Sequence, residues 1–387
     1  MRKSRLLERT FTVPAYPDRG LCLTRGDGVH LYDEDGREYL DLMTNYGVNI
    51  FGYNHPVLRR ALDAQASTLP TLHGSFSNDV RARAARALVR RCGGGLARVC
   101  FVNSGTEAIE AALKFAVLAT GKKRFIACRR GFHGKTLGAL SSSGNPAITE
   151  PFRPLLWEFS LVDHNDLRQL RDALDDRTAA FLVEPVQGEG GIHQAETGYL
   201  AGAAALCRSR QALMIVDEIQ TGMGRTGRFL ASEAEISRQD LVCLGKGLAG
   251  GIPAGAVLVS PSVATSISRS IHTSTFGGNP LACAGINAVL GLLDEDRLRH
   301  VAETGVAMLE GLRSLPSPPL IAVRGEGLMI GVDIDEARTT ILRRLQEEGI
   351  LAIPAGERTV RFLPPYLLER EHTDRVCQTL AGILRTI

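Results

Sequence analysis

The sequence predicts an α/β protein: a mostly parallel central sheet covered by helices, joined to a smaller α+β unit. Three observations predict it. From about residue 98 to residue 259, short apolar runs alternate with stretches whose apolar residues recur at helical spacing, the rhythm of βαβ units. Polar, glycine-rich clusters follow those runs, where an open α/β sheet places its ligand crevice. Beyond about residue 286 the rhythm changes, and helical patterns mix with isolated short strands.

Along the chain, residues from about Leu23 to Asp41 alternate and carry Asp35-Gly36 between short apolar stretches, which predicts a β-hairpin with a tight turn. Arg98 to Val102 reads as a strand. Thr106 to Ala119 reads as a helix, with Ile109, Ala112, Leu113, Ala116 and Val117 at helical spacing. Arg124 to Cys128, Ala180 to Val183, Ala212 to Val216, Leu241 to Leu244 and Ala256 to Val259 read as further strands. A helix from about Pro280 to Leu293 follows, then a second helical stretch and the apolar run Gly327 to Ile334. Thr339 to Glu348 reads as a helix, Val360 to Leu363 as a strand, and a last helix starts near Glu371. This divides the chain into residues 1–50 packing with the smaller unit, 51–285 as a large ligand-binding domain, and 286–387 as the C-terminal α+β domain. Internal repeats and low-complexity segments are absent.

With 387 residues the chain can build a large domain with a full core and a second, smaller one. Charged residues at 22% and hydrophobic residues at 44% are ordinary for a soluble globular protein. A net charge of +3 gives no reason to expect nucleic acid or a membrane as partner. The 5% of aromatic residues are not interleaved with a basic stripe, so base stacking has little support. Eight scattered cysteines, with no CxxC pair, read as free buried thiols of a reducing cytoplasm. No His/Cys cluster has ligand spacing, so no metal is expected. The basic start Met1-Arg2-Lys3-Ser4-Arg5 is not followed by an apolar signal core, and no transmembrane run occurs.

The chemistry starts at Lys246, in Leu244-Gly245-Lys246-Gly247, just after an apolar run. An amine presented at a chain reversal between glycines, with few counter-charges expected around it, loses its proton more easily and can condense with an aldehyde. The apolar run Ala212 to Val216 ends in Asp217-Glu218-Ile219-Gln220. A carboxylate at the end of a buried strand needs a positive group. A lysine that forms an imine and an aspartate that holds a pyridinium nitrogen are what pyridoxal phosphate requires of a protein. For Asp217 alone, a structural salt bridge remains the other reading.

Other clusters lie at neighbouring strand ends. In Asn103-Ser104-Gly105-Thr106-Glu107, Ser104 suits a helix N-cap, and the first-turn N–H groups would suit a phosphate or simply mark an ordinary cap. In Gly131-Phe132-His133-Gly134-Lys135, Phe132 can lie flat on a ring or fill the core, and His133 reads as structural, with no catalytic role. Glu184 to Gly191 carries two acids, Glu184 and Glu189, and reads equally as a solvated loop. The hydroxyls and glycines of His272 to Asn279, including Thr275, could contact phosphate or form a loop leading into a helix. Arg361, between apolar residues, needs an anion: a substrate carboxylate or an internal acid. Rival phosphate motifs fail, because Gly245-Lys246 lacks the following Ser/Thr of a P-loop and Gly188-Glu189-Gly190 leads to His193 where a dinucleotide fingerprint wants glycine or alanine.

Taken together these segments resemble the class III (ornithine/acetylornithine-type) aminotransferases over nearly the whole chain. The most specific stretches are Val183 to Gly191, Val216 to Gly227, Lys246, and Thr275 to Pro280. Phe101 to Ala108, Asn45-Tyr46-Gly47-Val48 and Arg361 to Pro365 resemble the acetylornithine branch and its relative acting on carrier-linked lysine or ornithine. The resemblance implies a fold-type I pyridoxal-phosphate enzyme and a homodimer. It implies that Lys246 binds the cofactor covalently and moves the proton, that Asp217 holds the pyridine nitrogen, and that Glu184 supports them. Phe132 and Ile219 would sandwich the ring, with Gln220 near its phenolic oxygen. Gly105 and Thr106 would hold the phosphate, joined by Thr275 of the other subunit. Arg361 resembles the clamp for the α-carboxylate of glutamate, Glu189 the acid that masks it, and Tyr46 a substrate-side tyrosine. Lys135 departs from the arginine many members carry there, which keeps charge but loses the bidentate fork and makes a diamine donor an alternative to an acylated ornithine or lysine. An aminomutase or decarboxylase of the same fold, and a non-catalytic relic, are the other readings; a relic should have lost Lys246 or Asp217.

Overall fold

The computed structural model describes residues 3–315, 320–335 and 338–386; Met1 and Arg2 of the basic start lie outside them. Its centre is a seven-stranded sheet. In spatial order the strands are Arg98–Val102, Gly255–Val259, Leu241–Leu244, Leu213–Asp217, Thr178–Val183, Arg124–Cys128 and Phe159–Val162. Every neighbouring pair from Leu241–Leu244 to Phe159–Val162 is parallel. Gly255–Val259 runs antiparallel to both its neighbours. Each residue of Thr178–Val183, Leu241–Leu244 and Gly255–Val259 is buried, because helices cover both faces. Fully burying a side chain such as Phe181 or Leu182 stabilises the fold by roughly 1.5–3 kcal/mol. Phe159–Val162, a four-residue strand at the sheet's edge, escapes the sequence reading because Ser160 interrupts its apolar run.

The helix Gly105–Thr120 packs between this sheet and its surroundings, and its buried residues Ala108, Ile109, Ala111, Ala112, Leu113, Phe115 and Ala116 wrap well beyond one stripe. It stops at Gly121, whose φ of 70° gives the left-handed cap that glycine accepts at least cost.

The N-terminal hairpin is instead a three-stranded meander, Leu23–Asp27, His30–Asp33 and Glu38–Asp41. Asp35-Gly36 makes the second reversal, and Gly28, at φ 53°, helps make the first. Glu38–Asp41 pairs in parallel with Ile350–Leu351, which ties the N-terminal segment to the C-terminal part of the chain. Of the apolar run Gly327 to Ile334, Met329–Ile334 forms a strand and Gly327-Leu328 the turn that joins it to its antiparallel partner, Leu320–Glu326. Thr359–Phe362 pairs next to Met329–Ile334, so Arg361 lies opposite Gly331. The helices Glu295–Arg313, Arg338–Glu347 and Arg370–Leu384 complete this region, whereas Pro280–Leu292 packs against the helices Pro56–Ala66 and Asp79–Cys92.

All eight cysteines are free; five are buried, but Cys22, Cys100 and Cys377 are only half-buried. Among the described residues no helix is long and apolar enough to cross a membrane.

Candidate active site

Asp217 is the last residue of its strand and is buried. One carboxylate oxygen accepts from the Ile219 amide at 3.0 Å, and the other lies 2.6 Å from His133 Nδ1. The positive group that a buried strand-end carboxylate demands is therefore His133, which reads from the sequence only as a structural residue with no catalytic role. Burial alone would lower the basicity of His133, but the hydrogen bond and charge of Asp217 outweigh it, and its pKa rises. A signal was present in the sequence: His133 is the residue next to Phe132, in a segment that already faced the crevice.

Lys246 opens a single 3₁₀ turn, Lys246–Ala249, directly after Leu241–Leu244. Its φ of 45° is left-handed, a strain of roughly 1–2 kcal/mol for a side-chain-bearing residue. Gly245 sits tightly against the helix start: a Cβ there would be 3.2 Å from both Gly105 Cα and an Ile219 methyl group. The expectation of few counter-charges fails: Glu189, Asp217 and Glu184 all act on the amine. Burial nonetheless dominates, Arg361 adds to it, and the pKa of Lys246 falls to about 8.

Glu184 is buried and accepts from the amides of Phe132 at 2.9 Å and Gly188 at 3.2 Å, so it fixes the backbone that presents Phe132. Burial first, and Asp217 second, push its pKa up to about 7 against the pull of His133. Ser104 caps the Gly105–Thr120 helix by accepting from the Glu107 amide, leaving the first-turn N–H groups without intrahelical acceptors. Thr106 Oγ1 lies 2.7 Å from Thr136 Oγ1, and a Cβ on Gly134 would strike Thr106. The Gly131–Thr136 segment therefore passes tightly over the helix start.

These groups enclose a cavity of about 200 Å³ whose walls include Gly105, Thr106, Phe132, Ile219, Gln220 and Lys246. Glu184, Glu189 and Asp217 line it as well. Arg361 joins through its partners: it is fully buried, pairs with Glu189 at 2.7 Å, and donates to Gln220 Oε1 at 3.1 Å. The exposed Tyr46 ring lies with its centre 5.5 Å from the Arg361 guanidinium. Thr44, Asn45 and Tyr46 all have positive φ, so Tyr46 is carried by a strained left-handed turn. Lys135 is exposed and lines an adjoining cavity of about 870 Å³, which shares Phe132 and Glu189 with the first. Thr275 stands apart from both cavities, exposed, in the loop whose Ser274 accepts from Asn103 Nδ2.

The arrangement can hold an anion at the helix start and a flat ring beside Phe132 and Ile219. It sets a buried acid at one end of that space and an amine of lowered basicity at another. It also keeps one guanidinium neutralised beside them.

The family model for class-III aminotransferases matches residues 13–384. The chain is 40% identical over 368 residues to the acetylornithine aminotransferase of Methanopyrus kandleri, covering 94% of each. It is 38% identical over 384 residues to the LysW-aminoadipate semialdehyde transaminase of Deinococcus radiodurans, covering 98% of this chain and 90% of that one. The crystal structure of the ornithine aminotransferase from Toxoplasma gondii superposes with a TM-score of 0.94 at 34% identity, covering 99% of this chain and 96% of that one.

Proposed function

We propose that this chain, which belongs to the class III aminotransferases, moves a terminal (δ or ε) amino group between an N-acylated ornithine or lysine and 2-oxoglutarate with pyridoxal 5′-phosphate. The observation that carries the reading is the Arg361–Glu189 pair beside the Lys246 amine. A terminal amine has no carboxylate next to its reacting carbon, so a bare guanidinium there would be an unpaired charge facing an apolar stem. Glu189 neutralises it. A dicarboxylate such as 2-oxoglutarate brings its own carboxylate to Arg361, and Glu189 then yields.

Bound pyridoxal phosphate supplies the electron sink that stabilises negative charge at the carbon losing its proton. The residues present fit that group. Gly105 and Thr106, at the helix start, hold its phosphate. Asp217, oriented by His133, keeps a proton on the pyridine nitrogen. Phe132 and Ile219 confine the ring. Gln220 spends its carbonyl oxygen on Arg361, which leaves its amide nitrogen as a donor for the phenolic oxygen. Lys246, with a pKa near 8, carries the proton between the substrate carbon and the cofactor's C4′. We also infer a homodimer in which Thr275, exposed and lining neither cavity, reaches the partner's helix start.

Lys135 favours a second reading with the same chemistry. Lys135 shares the outer cavity with Arg130, Arg324, Arg338 and Arg358; at its own position an ammonium suits the distal carboxylate of glutamate less well than a guanidinium fork, and a diamine such as putrescine needs no such fork.

The test is the visible absorbance of the cofactor-loaded protein, titrated with glutamate, N2-acetylornithine, N2-acetyllysine, ornithine and putrescine. An acylated donor should bleach the band at the lowest concentration, with 2-oxoglutarate restoring it. Preference for unacylated diamines would favour the second reading, and turnover by Lys246→Ala would end both.

A further inference from the structure

We propose that Arg324 positions the turn carrying Glu189 and so sets how readily Arg361 is released to a dicarboxylate. The inference rests on the reading of Glu189 as the cover of Arg361.

Arg324 lies on Leu320–Glu326, opposite Gly331 of the next strand. Its guanidinium meets Asp333 with two parallel bonds, Nη1 to Oδ2 at 2.9 Å and Nη2 to Oδ1 at 2.8 Å. Thr359 locks that fork: its hydroxyl donates to Asp333 at 2.6 Å and accepts from Arg324 Nη2 at 3.1 Å. The rest of the guanidinium reaches across to the Glu189 turn. Nε donates to the carbonyls of Gly191 at 2.8 Å and Ile192 at 3.0 Å, and Nη2 also donates to Gly191.

The turn needs such a bracket. Ile192 is β-branched and fully buried, yet its φ is 60°, a left-handed conformation that branched side chains resist. Strain of this kind persists only where the surroundings over-determine it. Two further contacts help: the Gly356 amide donates to the Glu189 carbonyl at 2.8 Å, and Gly331 leaves room for Ile192, since a Cβ there would sit 3.0 Å away. The bracket spans both halves of the ion pair. Arg324 holds the turn two residues beyond Glu189, and Thr359 sits two residues before Arg361 on its strand. A charge-assisted network of six Arg324 bonds to turn and fork thus fixes where Glu189 stands relative to Arg361.

If Glu189 covers Arg361 in most molecules, a dicarboxylate binds with an affinity reduced by the uncovered fraction. Loosening the turn raises that fraction. The experiment compares wild type, Arg324→Met and Thr359→Val, each loaded with pyridoxal phosphate. Calorimetry gives the Kd of glutarate, a dicarboxylate with no keto group to react. Kinetics give the KM for 2-oxoglutarate relative to the KM for the amino donor. Arg324→Met should bind glutarate roughly tenfold more tightly and lower the KM ratio by a similar factor, as loss of a charge-assisted bond would. Thr359→Val should show the same change at roughly threefold. In a Glu189→Gln background, Arg324→Met should add less than about twofold, because the cover it positions is already weakened. Glutarate binding within about twofold of wild type in Arg324→Met, or an equal effect with and without Glu189, would overturn the proposal. Should Arg324→Met fail to fold, Thr359→Val decides on the same two readouts. A wild type inactive with every terminal amine would sink the functional reading instead, and the glutarate comparison would still stand on its own.

Discussion

His133 Nδ1 stands 2.6 Å from Asp217 Oδ2, and both side chains are buried. The pair comes from two different strand ends, one just after Arg124–Cys128 and the other at the end of Leu213–Asp217, which are not neighbours in the sheet. Its effect is to place a fixed negative charge at the inner wall of the cavity while its cost of burial is offset by a cation behind it.

Replacing that cation should be expensive. His133→Phe keeps the volume of a ring but leaves the Asp217 carboxylate buried without its partner. Unfolding in urea should show a loss of about 3–5 kcal/mol, the range for breaking one side of a buried pair. Retention of cofactor should weaken in parallel. A His133→Phe variant as stable as wild type would mean that Asp217 draws its support from elsewhere.

Glu184 predicts a pH dependence of stability. Its folded-state pKa, about 7, lies above the ordinary carboxylate value of 4.5. The folded protein therefore binds this proton more tightly than the unfolded chain. The stability Glu184 contributes is full at acid pH and is lost as pH rises from about 4.5 to about 7. His133, also raised, has the same sign but acts only above its ordinary value of 6.5. The difference in unfolding free energy between wild type and Glu184→Gln should thus fall steadily from pH 5 to pH 6.5. A flat difference over that window would place the raised pKa on another group.

Much of this was legible in the sequence, and the rest was not for identifiable reasons. Strands such as Leu241–Leu244 showed because an uninterrupted apolar run between polar clusters has little else to become. Lys246, Asp217, Gly105 and Arg361 showed because each is an expensive or unusual residue for its local setting. Direction did not show: Gly255–Val259 reads the same whether it runs parallel or antiparallel, and only its pairing settles that. The single hairpin expected before Asp41 is three strands: Asp27-Gly28 carries the same Asp-Gly turn signal as Asp35-Gly36, and the expectation used only the second. Pairings across long separations, His133 with Asp217 or Arg324 with Gly191, leave no local pattern at all. The left-handed backbone at Thr44, Asn45 and Tyr46 was equally hidden, since only Asn45 among them favours it.

Lys246 predicts how the protein takes up its cofactor. Only the neutral amine attacks an aldehyde, so the uptake rate of pyridoxal phosphate by the apoprotein should rise with pH and level off through a midpoint near 8. Glu189 raises the basicity of this amine and Arg361 lowers it. Glu189→Gln should therefore move the midpoint down, and Arg361→Met should move it up. Stopped-flow absorbance across pH 6.5–10 measures both. Midpoints that stay together in all three proteins would show that burial alone sets the amine.

Lys135 bears on which partner the enzyme prefers. It lines the outer cavity together with Phe132 and Glu189, the acid that pairs with Arg361. A dicarboxylate held at one end by Arg361 needs a cation for the other end, and an ammonium offers a point charge where a guanidinium offers two parallel bonds. Lys135→Arg should therefore lower the KM for 2-oxoglutarate, by roughly three- to tenfold if one extra charge-assisted bond forms. The KM for an amine without a distal carboxylate, such as putrescine, should stay within about twofold or rise, since the added fork finds no partner there. Steady-state kinetics with both substrates separate the cases. If Lys135→Arg improves putrescine as much as 2-oxoglutarate, Lys135 acts through the general potential of the cavity, and the distal carboxylate must be bound by another group.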